Sequence, residues 1–196
     1  MPPRRSPSIE LLTAGAARRA RAGLVALLRD VVDAGASVGF LPPLEAEEAG
    51  QYWDGVFAAV GEGTRALWVA RAPGDIVGTV QLALETRPNG RHRAEVMKLM
   101  VHTAAQRRGT GRGLMLAAEE EARRQGRTTL VLDTRRGDPS EQLYLSLGWT
   151  LAGIVPRYAR SADGRLDGSA FYYRLLGPAP SPLRQTAARR APPARR

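Results

Sequence analysis

The sequence contains no cysteine, a single lysine (Lys98) and only two histidines, His92 and His102. Without cysteine, disulfide frameworks, thiolate zinc sites and a cysteine nucleophile are excluded together. The two histidines stand too far apart to suggest a metal pair, so no metal is expected. No stretch reaches the roughly 20 uninterrupted apolar residues that a membrane span needs. No period of about 20 to 50 residues repeats, which excludes a solenoid. The opening "MPPRRSPSIELLTAG" lacks the apolar core of a secretory signal, and a cytoplasmic location is the expectation.

What is present is arginine. The 196 residues carry a formal charge of +10, which invites a nucleic-acid reading because clustered basic side chains neutralise phosphates. Seven of those charges sit near the ends: Arg4, Arg5 and the five arginines of 178–196. The remainder of the chain is close to neutral. The expected organisation is therefore a disordered start at 1–7, one domain over 8–177 and a disordered Pro/Arg-rich tail over 178–196. A basic interaction protein is the rival to an enzyme on this evidence. The sequence leaves the choice between monomer and homodimer open.

Periodicity gives the element order. A short apolar run near Ile9 suggests a strand, and Leu24, Leu27, Leu28, Val31 and Val32 fall at helical spacing in a helix that ends near Gly35. "PPLEAEEAGQYWDGVFAAVGEG" has the proline, acidic first turn and trailing glycines of a second helix. Two strands then form a hairpin around Pro73 and Gly74. "RAEVMKLMVH" predicts a further strand, and "GRGLMLAAEEEARRQG" a helix with its stripe on Leu114, Leu116, Ala117 and Ala118, capped by Gly126. "TTLVLDT" reads as a buried parallel strand. A short helix and a hairpin turning at Asp163-Gly164 complete a mixed α/β sheet.

The segment "RRGTGRG" lies between a strand and a helix, where free backbone amides can face an anion such as phosphate. A nucleoside-triphosphate loop would need a Lys-Ser/Thr pair after the last glycine, and none follows. A dinucleotide site finds some support in Gly109, Gly111 and Gly113 with Asp133 some 20 residues on. Its third glycine comes one position early, however, and the preceding antiparallel hairpin does not suit a doubly wound sheet.

Arg108-Gly109-Thr110-Gly111-Arg112-Gly113 matches the R-x-x-G-x-G signature of the GNAT acyl-CoA N-acyltransferases. "VMKLMV", "TTLVLDT" and "LYLSLGW" follow that family's order, so the chain resembles it over about residues 64–176. The resemblance implies a mixed, mostly antiparallel sheet with a central splayed parallel pair flanked by helices, and acetyl-CoA as cosubstrate. "GASVGFLPPL", "HRAEVMKLMVH", "LVLDT" and "DGRL" are similar to the tabtoxin-resistance acetyltransferases, a subgroup acting on an amino-acid-like toxin. From that subgroup follows the expectation of a small-molecule amine acceptor and a role in antibiotic or toxin resistance, with a protein amine as the alternative.

Transfer of an acetyl group from a thioester to an amine needs a base for the amine, a place for oxyanion charge and a proton for the thiolate. Strand alternation puts Glu95, Met97, Leu99 and Val101 on one face and Lys98 on the other, unless a bulge breaks the parity. By resemblance, Glu95 and Asp133 are the acidic positions that take the amine proton, and Tyr144 is the proton donor. The backbone of Leu99, Met100 and Val101 would pair with the pantetheine arm. Arg107, Arg108, Gly109, Thr110, Gly111, Arg112, Gly113 and Leu114, together with Ser140, would hold the remainder of the cosubstrate. Arg157 and Tyr158 are candidates for acceptor contact.

Overall fold

The computed structural model describes residues 7–177. The expected tails, apart from residue 7, lie outside these. The chain runs through β1 (Ser8–Leu11), α1 (Ala14–Arg19), α2 (Arg21–Asp33), α3 (Ala46–Gly61), β2 (Arg65–Ala72), β3 (Asp75–Leu84), β4 (Arg93–Val101), α4 (Thr110–Arg124), β5 (Thr129–Arg135), α5 (Ser140–Ser146), β6 (Thr150–Arg160) and β7 (Leu166–Leu175). All seven strands form one sheet in the order β1-β2-β3-β4-β5-β7-β6. Every neighbouring pair is antiparallel except β4 and β5.

Period-2 alternation divides the sheet's apolar residues between two layers. On β2, Leu67 and Val69 join the core under α1, α2 and α3, while Ala66, Trp68 and Ala70 join the core under α4 and α5. The long helices α2 and α4 stop by the same device, as does α3 at Gly63. Gly35 and Gly126 take φ of +82° and +70°, and the next residue closes the helix through Ala36 N–H to the Val31 carbonyl (2.9 Å) and Arg127 N–H to the Ala122 carbonyl (2.8 Å). The stripe of α4 departs from expectation in one residue. Leu116 is exposed, and Leu114, Met115, Ala118 and Ala122 fill the core.

The parallel pair is short. Register between β4 and β5 covers only Arg93 with Thr129, Ala94 with Leu130, and Glu95 with Val131. Beyond Glu95 the strands part, so the β4 edge from Val96 onward faces a gap instead of β5. No helix among the described residues is long and apolar enough to cross a membrane.

Candidate active site

The gap opens into a cleft of about 820 Å³. At one end stands the glycine-rich turn. Arg107 and Gly109 adopt φ of +60° and +81°, and this reversal starts α4 at Thr110 with no side chain capping the helix. The first amides of the helix have no intrahelical acceptor. Thr110 and Gly111 line the cleft, so their N–H groups and the positive end of the helix dipole are available to an anion there. The three glycines serve different ends. Gly109 permits the left-handed turn, Gly111 lies where a Cβ would come within 3.4 Å of Leu143, and a Cβ on Gly113 would stand 2.6 Å from the Ile9 side chain. Beneath them Gly78 on β3 lets the helix sit low, since a Cβ there would meet the Met100 carbonyl and Leu114 at 3.1 Å.

Of the residues expected to hold the cosubstrate, Leu99, Met100, Val101, Arg107, Gly109, Thr110, Gly111, Arg112 and Ser140 line this cleft, whereas Arg108, Gly113 and Leu114 do not. The Leu114 side chain is wholly buried in the core. The donor set suits a pyrophosphate at the helix start and an extended arm along the open edge of β4, where unpaired backbone groups can bond as to an added strand.

The carboxylates meet at the point of divergence. Ala94 and Val96 on β4, and Leu130 and Leu132 on β5, turn into the α4 core. Glu95 and Asp133 therefore share the opposite face, and both line the cleft. No ion pair engages either carboxylate among the described residues. Glu95 is half-buried, and this burial, reinforced by the Asp133 charge and opposed by Lys98, raises its pKa above the ordinary carboxylate range. Asp133 is exposed and accepts a hydrogen bond from the buried Ser169 hydroxyl at 2.7 Å.

The alternation expected for β4 breaks at a bulge. Register with β3 slips between Thr79 and Gln81, opposite Met97–Met100, and Lys98 takes φ of +52°. Met100 consequently packs in the α1–α3 core although Val96, an even number of residues earlier, packs under α4. Lys98, expected on the face opposite Glu95, instead enters the cleft. Burial lowers its pKa, while Asp133 and Glu95 act to raise it. Its Nζ reaches the loop between α2 and α3, within 3.2 Å of where a Gly39 Cβ would be.

Tyr144 projects from α5 with its ring packed against Tyr172 and Trp149, at centroid distances of 5.9 and 6.2 Å. It lines the cleft despite being 6% exposed. Burial pushes the pKa of its phenol well up from the ordinary value. Ser140 Oγ lies 2.9 Å from Thr134 Oγ1 nearby. Tyr158 lines the cleft and Arg157 does not.

Three contributions had no signal in the sequence. Ser169 comes from β7, some 36 residues beyond the Asp133 it holds. Gln81 is fully buried and links Arg65 to the Tyr52 hydroxyl, at 2.8 and 2.9 Å. Arg135 donates through Nη1 toward the Gly35 carbonyl (3.1 Å) and Ser161 Oγ (3.3 Å), while its Nη2 stands 2.9 Å from Asp138. The first two of those contacts tie the α2–α3 loop to the β6–β7 turn. Periodicity cannot reveal partnerships across such separations.

Residues 33–149 match the sequence pattern of the acetyltransferase (GNAT) family. An uncharacterised N-acetyltransferase from the hisH-hisA intergenic region of Azospirillum brasilense is 37% identical over 116 residues, which are 57% of this chain and 67% of that protein. The ribosomal-protein-alanine N-acetyltransferase of Brucella melitensis superimposes with a TM-score of 0.71 at 22% identity, over 86% of this chain and 99% of that one. The yncA protein of Salmonella typhimurium, solved with acetyl-CoA, gives 0.71 at 19% identity, over 91% and 98%. The splayed pair and the glycine-rich helix start thus belong to a member of the acetyltransferase (GNAT) family, an acetyl-CoA-dependent N-acetyltransferase.

Proposed function

We propose that this enzyme acetylates the primary amine of a small, amino-acid-like molecule by direct attack on acetyl-CoA, in the cytoplasm. The observation that carries the small-acceptor reading is the tie made by Arg135. The acceptor end of the cleft is walled by the loop 34–39 on one side and by Tyr158 and Ala159 on the other. Arg135 bridges the elements that bear those walls. An extended peptide needs an open trough, whereas a small amine can enter a walled pocket. A toxin or antibiotic amine is one such molecule.

In this reading Glu95 takes a proton from the acceptor ammonium, directly or through a water, with Asp133 as the second acidic group. The amine nitrogen bonds to the thioester carbonyl carbon while a backbone amide on the open β4 edge receives the developing oxyanion. The carbon–sulfur bond then breaks, and Tyr144 gives its proton to the departing sulfur. Glu95 returns its proton to solvent and Tyr144 is reprotonated from it. The cleft-lining residues expected to bind acetyl-CoA keep that assignment, with Thr110 and Gly111 offering amides to the pyrophosphate, while Arg108, Gly113 and Leu114 are dropped from it.

The test is acetylation of two panels, monitored by mass spectrometry: free amino acids and amine antibiotics, against peptides with free N-termini or lysines. Turnover of small amines at least ten-fold more efficient than of any peptide is the expected result. Acetylation of peptides alone would overturn the small-acceptor reading and make the enzyme a protein N-acetyltransferase.

A further inference from the structure

The one lysine of the chain occupies an unusual backbone position. A residue other than glycine at a left-handed φ is strained by on the order of 1 kcal/mol or more, and such strain persists where the surroundings enforce it. At Lys98 the bulge that imposes φ of +52° also turns the side chain from the sheet face into the cleft. Its ammonium ends beside Gly39 on the acceptor wall. Glu95 and Asp133 are near enough to influence it, as is Arg65. Yet no carboxylate forms an ion pair with it among the described residues. Its nitrogen is not sealed off either, since among the described residues the buried side-chain polar atoms lacking partners are Glu119 Oε2 and Arg127 Nε.

Lys98 is the only lysine of the chain, and every other strongly basic side chain is arginine. The compact Lys98 ammonium ends close against the backbone at Gly39. The acceptor end therefore presents two carboxylates and one uncommitted cation in the same cleft. Two carboxylates suit an amine, and a single ammonium between them and the loop suits an anionic group on the same molecule.

We propose that Lys98 is a specificity-determining residue that binds the carboxylate of a zwitterionic acceptor while Glu95 and Asp133 face its amine. This rests on the reading of the cleft as a small-amine site and narrows it to amines that carry a negative group. Lys98 takes no part in bond making. Its contribution is the choice of acceptor.

The experiment uses the full chain, acetyl-CoA and matched pairs: the common L-amino acids, β-alanine and γ-aminobutyrate, each beside its carboxamide. Wild type is expected to prefer the carboxylate member of its best pair by at least ten-fold in kcat/KM. Lys98→Gly, which suits the left-handed backbone, is expected to collapse that preference to near unity, mainly through KM, and Lys98→Arg to restore part of it. Circular dichroism and calorimetric binding of acetyl-CoA verify that each variant is folded. An equal loss on both members with the preference intact overturns the proposal, because Lys98 would then act only on the charge of Glu95. Wild type that acetylates amides as well as carboxylates also overturns it while leaving the small-amine reading in place. Acetylation of peptides and of no pair removes both.

Discussion

Glu95 is where reaction and stability pull in opposite directions. Its carboxyl is raised by burial and by Asp133, so the base form gains population only above the ordinary carboxylate range, and kcat/KM is expected to rise with pH through that raised value. Glu95→Gln is expected to lower turnover by about 10² to 10⁴-fold, the usual worth of a positioned acid or base, with acetyl-CoA binding retained by calorimetry. The folded protein holds the Glu95 proton more tightly than the unfolded chain. Stability from this group is therefore full below the unfolded pKa and is lost as pH rises through the raised folded one. The Gln variant lacks that loss, and denaturant melts at pH 8 should find it at least as stable as wild type. A variant with full turnover, or one destabilised at pH 8 but not at pH 4, would contradict this account of Glu95. Glu95 and Asp133 were legible from strand position and family resemblance, but Lys98 was not: a bulge inverts facing without changing the apolar pattern that periodicity reads.

Among the elements, α4 is set at its height by what lies under its first turn. Gly78 on β3 has no side chain, and the helix start uses that space through Leu114 and Thr110. Gly78→Ala is expected to cost about 1 to 3 kcal/mol by overpacking and to weaken acetyl-CoA binding as well, because a raised Thr110 moves the amides that face the pyrophosphate. Thermal melts and calorimetry together check this, and a variant that loses neither stability nor affinity would show that the helix is not fixed by this contact. The far end of α4 is held by charge. Glu119, fully buried, accepts from Trp149 Nε1 and Arg174 Nη1, each at 2.9 Å. Removing it in Glu119→Ala leaves the buried Trp149 N–H without its acceptor and the part-buried Arg174 guanidinium with the Leu147 carbonyl alone, and is expected to cost about 1 to 3 kcal/mol, measurable by urea unfolding. The strands and α2 to α5 were readable in order from spacing and turn residues, but the short α1 that precedes α2 was not separated from it. The Glu119 cluster was not readable either, since a buried acid inside "AAEEEARR" looks the same in sequence as the exposed Glu120 beside it.

At the scale of the whole molecule, the sheet is two unequal leaves. β1 to β4 and β5 to β7 meet through three register pairs, and the α4 and α5 packing supplies the remainder of the joint. A ligand laid along the open β4 edge adds contacts to this joint. Acetyl-CoA at about 100 times its dissociation constant should therefore stabilise the enzyme by about 2.7 kcal/mol, with amide exchange slowed most at Leu99–Val101 and at Thr110 and Gly111. Stabilisation with no local protection at those amides would place the cosubstrate elsewhere. The succession of strands along the chain was evident in the sequence, but neither the insertion of β7 between β5 and β6 nor the length of the parallel ladder was, because splaying depends on where the backbone diverges and leaves no mark in side-chain pattern.

The outermost strand has a bearing on how the protein behaves at high concentration. Among the described residues β6 has β7 on one side and no strand on the other, and it carries exposed Leu151, Ile154 and Val155. Such an edge invites a second chain to extend the ladder, which is the first step toward aggregation. Immediately after Val155 the strand presents Pro156, which has no N–H to offer, then Arg157 at φ of +54° within an interrupted register, and finally Arg160. An incoming strand could align with the first half of β6 but would lose its hydrogen bonds and meet positive charge in the second. The kink that shapes one wall of the cleft at Tyr158 also makes the second half of this edge a poor template for another strand.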